Sequence, residues 1–292
     1  MSLPERGRRV PATDAEYHLW LHMTDTVSDR LRRVTSRHNA LVKELRRALD
    51  KGEPTPDGHC AIESVRLIEE AIRSGLRFKA VFFSDAAEDR ARRLLPQIGS
   101  HVEALLLPDD VFTSAVATES PQGVAALVKL RDSSLDAALA PAVPLVVVVA
   151  GVQDPGNLGT ILRSAEAFGA SGVVLGEGAV SPYNPKLVRA SAGSLFRLNV
   201  VRTELAAACA TLRARGLRLV ATSSHRGLPL PEADLRGPLA FFIGNEGSGL
   251  PREIMSTLDG TVSIPHSPRV ESLNAGVAAS IMLYEISRQR SA

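Results

Sequence analysis

Cysteine is almost absent from this chain of 292 residues. The two present, Cys60 and Cys209, are too few and too far apart to build a disulfide frame or a thiolate metal site. Free thiols in a reducing cytosol are the expected state. No apolar run is long enough to cross a bilayer. The opening stretch, MSLPERGRRVPATDAEYHLW, lacks the apolar core of a signal peptide. A cytoplasmic protein with no membrane partner is therefore expected. No His, Cys, Asp and Glu residues recur at ligand spacing, so no metal is expected either. An excess of one charge is also missing: 34 Lys and Arg stand against 32 Asp and Glu, for a net +2. The total announces no polyanion partner, and only the distribution of charge can. Lastly, no glycine fingerprint follows the strand-like run at 145–150. GVQDPGNLG is not one, which argues against a dinucleotide enzyme.

What is there is a globular composition, 45% apolar and 23% charged, long enough for two ordinary domains. The pattern divides as 1–30, 31–130, 131–143 and 144–292. The first part is an extension with a small apolar cluster at Tyr17, Leu19, Trp20, Leu21 and Met23. From Arg30 the charge turns positive, and Ser36 is placed to cap a helix with an apolar stripe of Val34, Leu41, Leu45 and Leu49. Strands at 59–63, 78–84, 102–106 and 123–130 then alternate with helices at 64–74, 85–95 and 108–117, which predicts a small α/β sandwich. Residues 131–143, rich in Asp, Ser, Ala and Pro, form a linker with a helical piece at 135–139. The last part opens on LVVVVA, a strand buried on both faces as parallel sheets require. Strands at 172–175, 217–222, 239–243 and 260–264 follow, with helices at 158–168, 184–191 and 202–215. A helix of small and apolar residues closes the chain. In it Leu273, Val277, Ile281 and Tyr284 recur at helical spacing as a buried stripe. Pattern alone yields a doubly wound α/β sheet.

Three segments carry more than pattern. In GVQDPGNLGTILRSAEAFG, Asn157 and Gly159 are followed by Arg163, six positions after the Asn. In FFIGNEGSGL a strand ends in Gly244, Asn245, Glu246 and Gly247. In SIPHSPRVESLNAG an Ile264-Pro265 pair precedes Ser272, Leu273 and Asn274. In this order the segments resemble the three motifs of the SpoU (TrmH-like) branch of the SPOUT RNA methyltransferases. One departure is visible: the family often has Val-Ser after Ser-Leu-Asn, and this chain has Ala275-Gly276. The part at 31–130 resembles, more weakly, the ribosomal-protein-like α/β RNA-binding domain that precedes the catalytic domain in many SpoU enzymes.

The resemblance implies a C-terminal SPOUT α/β domain with a deep trefoil knot, although knots are rare exceptions among folds. It implies transfer of a methyl group from S-adenosylmethionine to a ribose 2′-hydroxyl in RNA. Ribosomal RNA is favoured over tRNA, and a homodimer would assemble the site at its interface. The matching catalytic positions are Arg163, Asn157, Glu246, Ser272 and Asn274. A guanidinium holds its proton too tightly for a literal general base. Arg163 is expected instead to bind the adjacent phosphate and stabilise developing alkoxide charge. Asn157, Ser272 and Asn274 also stand where helix caps stand. The cofactor would lie on Thr222, Ser223, Ile243, Gly244, Asn245, Gly247, Ile264 and Leu273. RNA phosphates would meet Arg32, Arg33, Arg37, Lys43, Arg46 and Arg47, with Lys186 and Arg189 as a second zone beside Arg197. The competing readings are an RNA-binding protein with an inactive site and an unrelated nucleotide enzyme.

Overall fold

The computed structural model describes residues 29–224 and 226–291; the apolar cluster expected at 17–23 lies outside them. Two sheets organise these residues. The first has strand order β1-β4-β3-β5-β2. It begins with β1 (Leu31–Arg33), which pairs parallel to β4 at the sheet edge. The basic segment is thus strand before it is helix, because Val34 is buried and its N–H donates to Leu106 at 2.9 Å. Asn39, not Ser36, caps α1 (Ala40–Lys51) by accepting from the N–H groups of Leu41 and Val42. Val42, Leu45, Ala48 and Leu49 form its buried face. Then come β2 (Cys60–Glu63), α2 (Val65–Arg73), β3 (Arg77–Ser84), α3 (Glu88–Leu94), β4 (Glu103–Leu107), α4 (Asp109–Thr113) and β5 (Val124–Lys129). Strand β5 runs antiparallel to both neighbours.

Within residues 131–143 one helical turn is fastened to the second sheet. Here α5 (Leu135–Ala138) presses Ala138 so close to Gly172 that a Cβ there would lie 2.4 Å from the Ala138 Cβ. The second sheet follows: β6 (Leu145–Val149), α6 (Pro155–Ala167), β7 (Gly172–Leu175), α7 (Pro185–Ala190), β8 (Val200–Arg202), α8 (Leu205–Ala214), β9 (Arg218–Ser223), β10 (Leu228–Pro229), β11 (Leu239–Ile243), α9 (Arg252–Thr257), β12 (Gly260–Ser263) and α10 (Ala275–Ser291). Its order is β10-β12-β9-β11-β6-β7-β8, and every pairing is parallel. Arg202, expected to open a helix, instead ends the edge strand β8, which pairs with β7. Central strands β6 and β11 are buried at every residue, as their unbroken apolar sequences demand.

The C-terminal helix corrects the expected stripe. Its buried residues are Ala275, Gly276, Ala279, Met282, Leu283 and Ile286. Val277 is 47% exposed and Tyr284 55% exposed, while Leu273 and Ile281 are half-buried. A helix apolar on nearly all sides offers two stripes, and periodicity cannot choose between them. The thin side wins because it lets α6 approach: a Cβ on Gly276 would stand 3.0 Å from Thr160. One buried cluster joins both sheets, with Ile62, Leu67 and Val128 from the first and Leu187 and Phe196 from the second. Among the described residues no helix is long and apolar enough to cross a membrane.

Candidate active site

The C-terminal ends of β6, β9, β11 and β12 lie along one edge of the second sheet, where open parallel sheets bind ligands. After β6, Asp154 caps α6 by accepting from the Asn157 N–H at 2.7 Å, with Pro155 at the first helical position. Asn157 therefore sits inside the first turn rather than at the cap, and its amide is free for other work. Its Nδ2 donates to Glu246 Oε1 at 2.9 Å, and its Oδ1 accepts from Asn274 Nδ2 at 2.8 Å. Asn274 Oδ1 caps α10, accepting from the N–H groups of Gly276 and Val277. Three loops far apart in sequence are thus tied by one directional chain, Asn274 to Asn157 to Glu246.

The loop carrying Glu246 is folded on itself by its neighbour. Asn245 exchanges backbone hydrogen bonds with Gly249, both 3.0 Å, and its Oδ1 accepts from the N–H groups of Gly247 and Ser248. Its Nδ2 donates to the Gly151 carbonyl at 2.7 Å, which binds this loop to the one after β6. Glycine is required at 244, where a Cβ would lie 2.4 Å from the backbone carbon of Gly249.

Beside these loops is a cavity of about 520 Å³. Of the expected cofactor residues it is lined by Thr222, Ser223, Ile243, Gly244, Asn245, Ile264 and Leu273, but not by Gly247. Ser272 and Asn274 stand on its wall, with Glu246. His266, within the 264–273 loop, also lines it, as do Leu250, Met255, Ala275 and Ala278, which lie outside the expected cofactor loops. The His266 ring Nδ1 lies 2.7 Å from the Ile264 carbonyl oxygen. A hydrophobic residue within ten of the second motif was the only signal available for Leu250 and Met255. The donor set suits a nucleoside: apolar side chains for a flat base, backbone amides and hydroxyls for its edges, and one carboxylate.

Arg163 is elsewhere. Six residues along a helix turn a side chain by about 240° from its start, so Arg163 leaves α6 on a different side from Asn157. It lines a second cavity of about 730 Å³ between α2 and α6, with Arg66, Glu70, Glu166 and Arg197. Within one chain it does not share the cavity of Glu246 and Asn274. The expected RNA-contact residues divide similarly. Arg32, Arg33 and Arg37 are ion-paired with Glu103, Asp85 and Asp110, at 3.1, 2.8 and 2.7 Å. Arg46 donates to the Ser114 carbonyl and hydroxyl. Lys43, Arg47, Lys186 and Arg189 are exposed and make no ion pair among the described residues. Arg197 is bound to two carboxylates and is not a spare cation.

Comparison with known proteins gives this arrangement its class. Residues 144–284 match the SpoU rRNA Methylase family, and residues 39–126 match the MRM3-like substrate binding domain. The SpoU methyltransferase AviRb from Streptomyces viridochromogenes, solved with AdoMet, is similar with TM-score 0.77 and 32% identity, over 87% of this chain and 99% of that one. An AdoMet-bound rRNA methyltransferase from Sinorhizobium meliloti gives TM-score 0.75 and 28% identity, over 89% and 98%. The fold is that of a SPOUT-type α/β methyltransferase. A 23S rRNA (guanosine(2553)-2′-O)-methyltransferase, RlmP from Bacillus subtilis, is 32% identical over 88% of this chain and 99% of its own length. The chain belongs to the SpoU family of RNA ribose 2′-O-methyltransferases, and S-adenosylmethionine is its methyl donor.

Proposed function

We propose that this chain methylates a ribose 2′-hydroxyl of ribosomal RNA, in the cytoplasm, as a homodimer. The observation that carries the reading is the Asn274–Asn157–Glu246 chain at the rim of a nucleoside-sized cavity, since it draws one residue from each motif. Ribosomal RNA is supported by relatives over most of both chains. RlmP is named for a guanosine of 23S rRNA, and a 34% identical enzyme from Streptomyces viridochromogenes for uridine 2479. Likeness at this level accompanies different target bases, so the base is left to RNA shape and loops.

Bound S-adenosylmethionine supplies a methyl on a positively charged sulfur whose departure leaves a neutral thioether. The chain's own residues then have three tasks. Ile243, Ile264 and Leu273 wall the apolar part of the cavity and keep water from it. Glu246, its carboxylate oriented by the Asn157 amide, is positioned to accept a ribose hydrogen bond at the rim. Arg163 binds the phosphate next to the target sugar and stabilises charge on the 2′-oxygen as it loses its proton.

Because Arg163 and Glu246 stand on different cavities of one chain, the reading assigns Arg163 to the partner's site. The exposed apolar face of α10, with Val277 and Tyr284, supports a two-fold contact beside α6. Tyr284 is held edge-on to Phe168 at 5.9 Å, a fixed aromatic surface of the kind interfaces use. The division into a substrate-binding part at 31–130 and a catalytic part at 144–292 fits the two sheets, and the same family reading carries the trefoil knot. The test is incorporation of labelled methyl from S-adenosylmethionine into ribosomal RNA from cells without the gene, followed by mapping of 2′-O-methyl sites. One ribosomal position is expected. Labelling of tRNA alone would move the substrate, and no labelling of any RNA would leave a binding protein.

A further inference from the structure

Arg163 and Arg66 are exposed on facing helices, and neither makes a hydrogen bond or ion pair among the described residues. Each has a carboxylate one helical turn away on its own helix. Glu166 is three residues past Arg163, and Glu70 four past Arg66. Those are the spacings at which acids and bases on a helix pair. Neither pair forms. A single guanidinium takes both acids instead: Arg197 donates through Nε and Nη2 to the two oxygens of Glu166, and through Nη1 to Glu70 Oε2 at 2.8 Å and Ser74 Oγ at 3.2 Å. Glu70's other oxygen takes Arg73 at 2.6 Å.

The local backbone is built to deliver Arg197 there. It follows a tight turn in which Ala192 and Gly193 have φ of 49° and 95°. A Cβ on Gly193 would lie 3.0 Å from the Glu70 Cβ, so glycine lets the turn press on α2. The fork geometry of arginine permits this two-sided hold, which a lysine ammonium could not reproduce in the same plane.

We propose that Arg197 is a positioning residue that keeps Glu166 off Arg163, leaving that arginine open to RNA phosphate. This rests on the reading that Arg163 meets the substrate RNA. The guanidinium of Arg197 holds the Glu166 carboxyl below the usual glutamate range, consistent with a carboxylate engaged at neutral pH. Glu166 has no other basic partner among the described residues, so it is the acid that turns on Arg163 once Arg197 is gone.

The competing role for Arg197 is a plain staple between the two sheets, and a double-mutant cycle separates them. Arg197→Met, Glu166→Gln and the double variant are assayed for kcat and KM on ribosomal RNA, with S-adenosylmethionine affinity by calorimetry as a control on folding. R197M is expected to lose about tenfold in kcat/KM for RNA, the scale of one hydrogen-bonded charge contact, with cofactor affinity within about twofold. E166Q stays within about twofold of the unaltered enzyme, and the double variant returns to within about threefold of E166Q. A double variant as slow as R197M overturns the masking role. If R197M alone fails to fold, the step from E166Q to the double variant decides by itself, and a tenfold further loss there overturns it. Absence of methyl transfer by the unaltered enzyme would strike the reading of the site, whereas a normal unaltered rate with an unrescued double variant strikes only the role of Arg197.

Discussion

Asn157 spends both ends of its amide, donating to Glu246 and accepting from Asn274. Asp is nearly isosteric but has no donor. Asn157→Asp keeps the bond from Asn274 and turns the bond to Glu246 into two facing carboxylates. A charged partner stripped of its donor costs about 1–3 kcal/mol, so kcat/KM for RNA should fall roughly 5- to 150-fold. S-adenosylmethionine affinity should change by less than about threefold, because the cavity walls are untouched. Two close carboxylates share a proton more readily as pH falls. The loss measured in single turnovers is therefore expected to be smaller at pH 6 than at pH 8, and an unchanged or inverted pH dependence would sink this role. Asn157 was legible in the sequence as a motif residue but not as a bridge. Its position before an apolar run suggested a cap, yet Pro155 marks the first helical residue and hands the cap to Asp154. The separation of Arg163 from Asn157 was legible in principle, since six residues do not return to one helix face. What no spacing could disclose is that the basic residues at 32–37 are already paired with acids from 85, 103 and 110, because those partners are 52 to 73 residues away.

Helix α6 is the element on which the site hangs, and it is fixed by close approach on two sides. Gly276 of α10 faces Thr160, and Ser164 and Ser280 Oγ atoms lie 2.7 Å apart. On the other side Gly159 faces α7, where a Cβ would stand 2.3 Å from the Ala190 Cβ and 2.8 Å from its backbone carbon. Gly159→Ala should cost about 1–3 kcal/mol by overpacking and lower the Tm by roughly 2–10 °C. Adding Ala190→Gly removes the methyl but not the backbone carbon, so less than the whole loss should return; full recovery in a melting experiment would refute the backbone contact. The glycine of the first motif is thus a packing residue, with its effect on catalysis passing through the angle of α6. The second sheet was legible because runs such as LVVVVA and LAFFI are too apolar for anything but central strands. The edges β1, β8 and β10 were not, because two or three residues at an edge are set by the neighbouring strand and not by their own propensity. The same limit hid the true buried face of α10, where Val277 and Tyr284 looked as apolar as Met282 and Ile286.

At the scale of the whole molecule, the proposed two-fold pair of chains would account both for the exposure of Val277 and Tyr284 and for the separation of Arg163 from Glu246. In that arrangement each site draws Asn157, Glu246 and Asn274 from one protomer and Arg163 from its partner. Two defective proteins then complement each other. Arg163→Ala and Asn157→Asp are each expected to be well below the unaltered rate alone. Mixed in equal amounts and allowed to exchange subunits, about half of the dimers are hybrids. A hybrid has one site with both defects and one site with neither, so the mixture should recover about a quarter of the unaltered rate. If Arg163 served its own chain's site, every site in the mixture would carry one defect and no activity would return. Tyr284→Asp puts a charge into the proposed contact, and by sedimentation it should give monomers that bind S-adenosylmethionine weakly and transfer no methyl group. Recovery near a quarter in the mixture would fix the dimer as the catalytic unit; loss of activity in the monomer alone would not, because a dimer can be needed for folding without sharing residues.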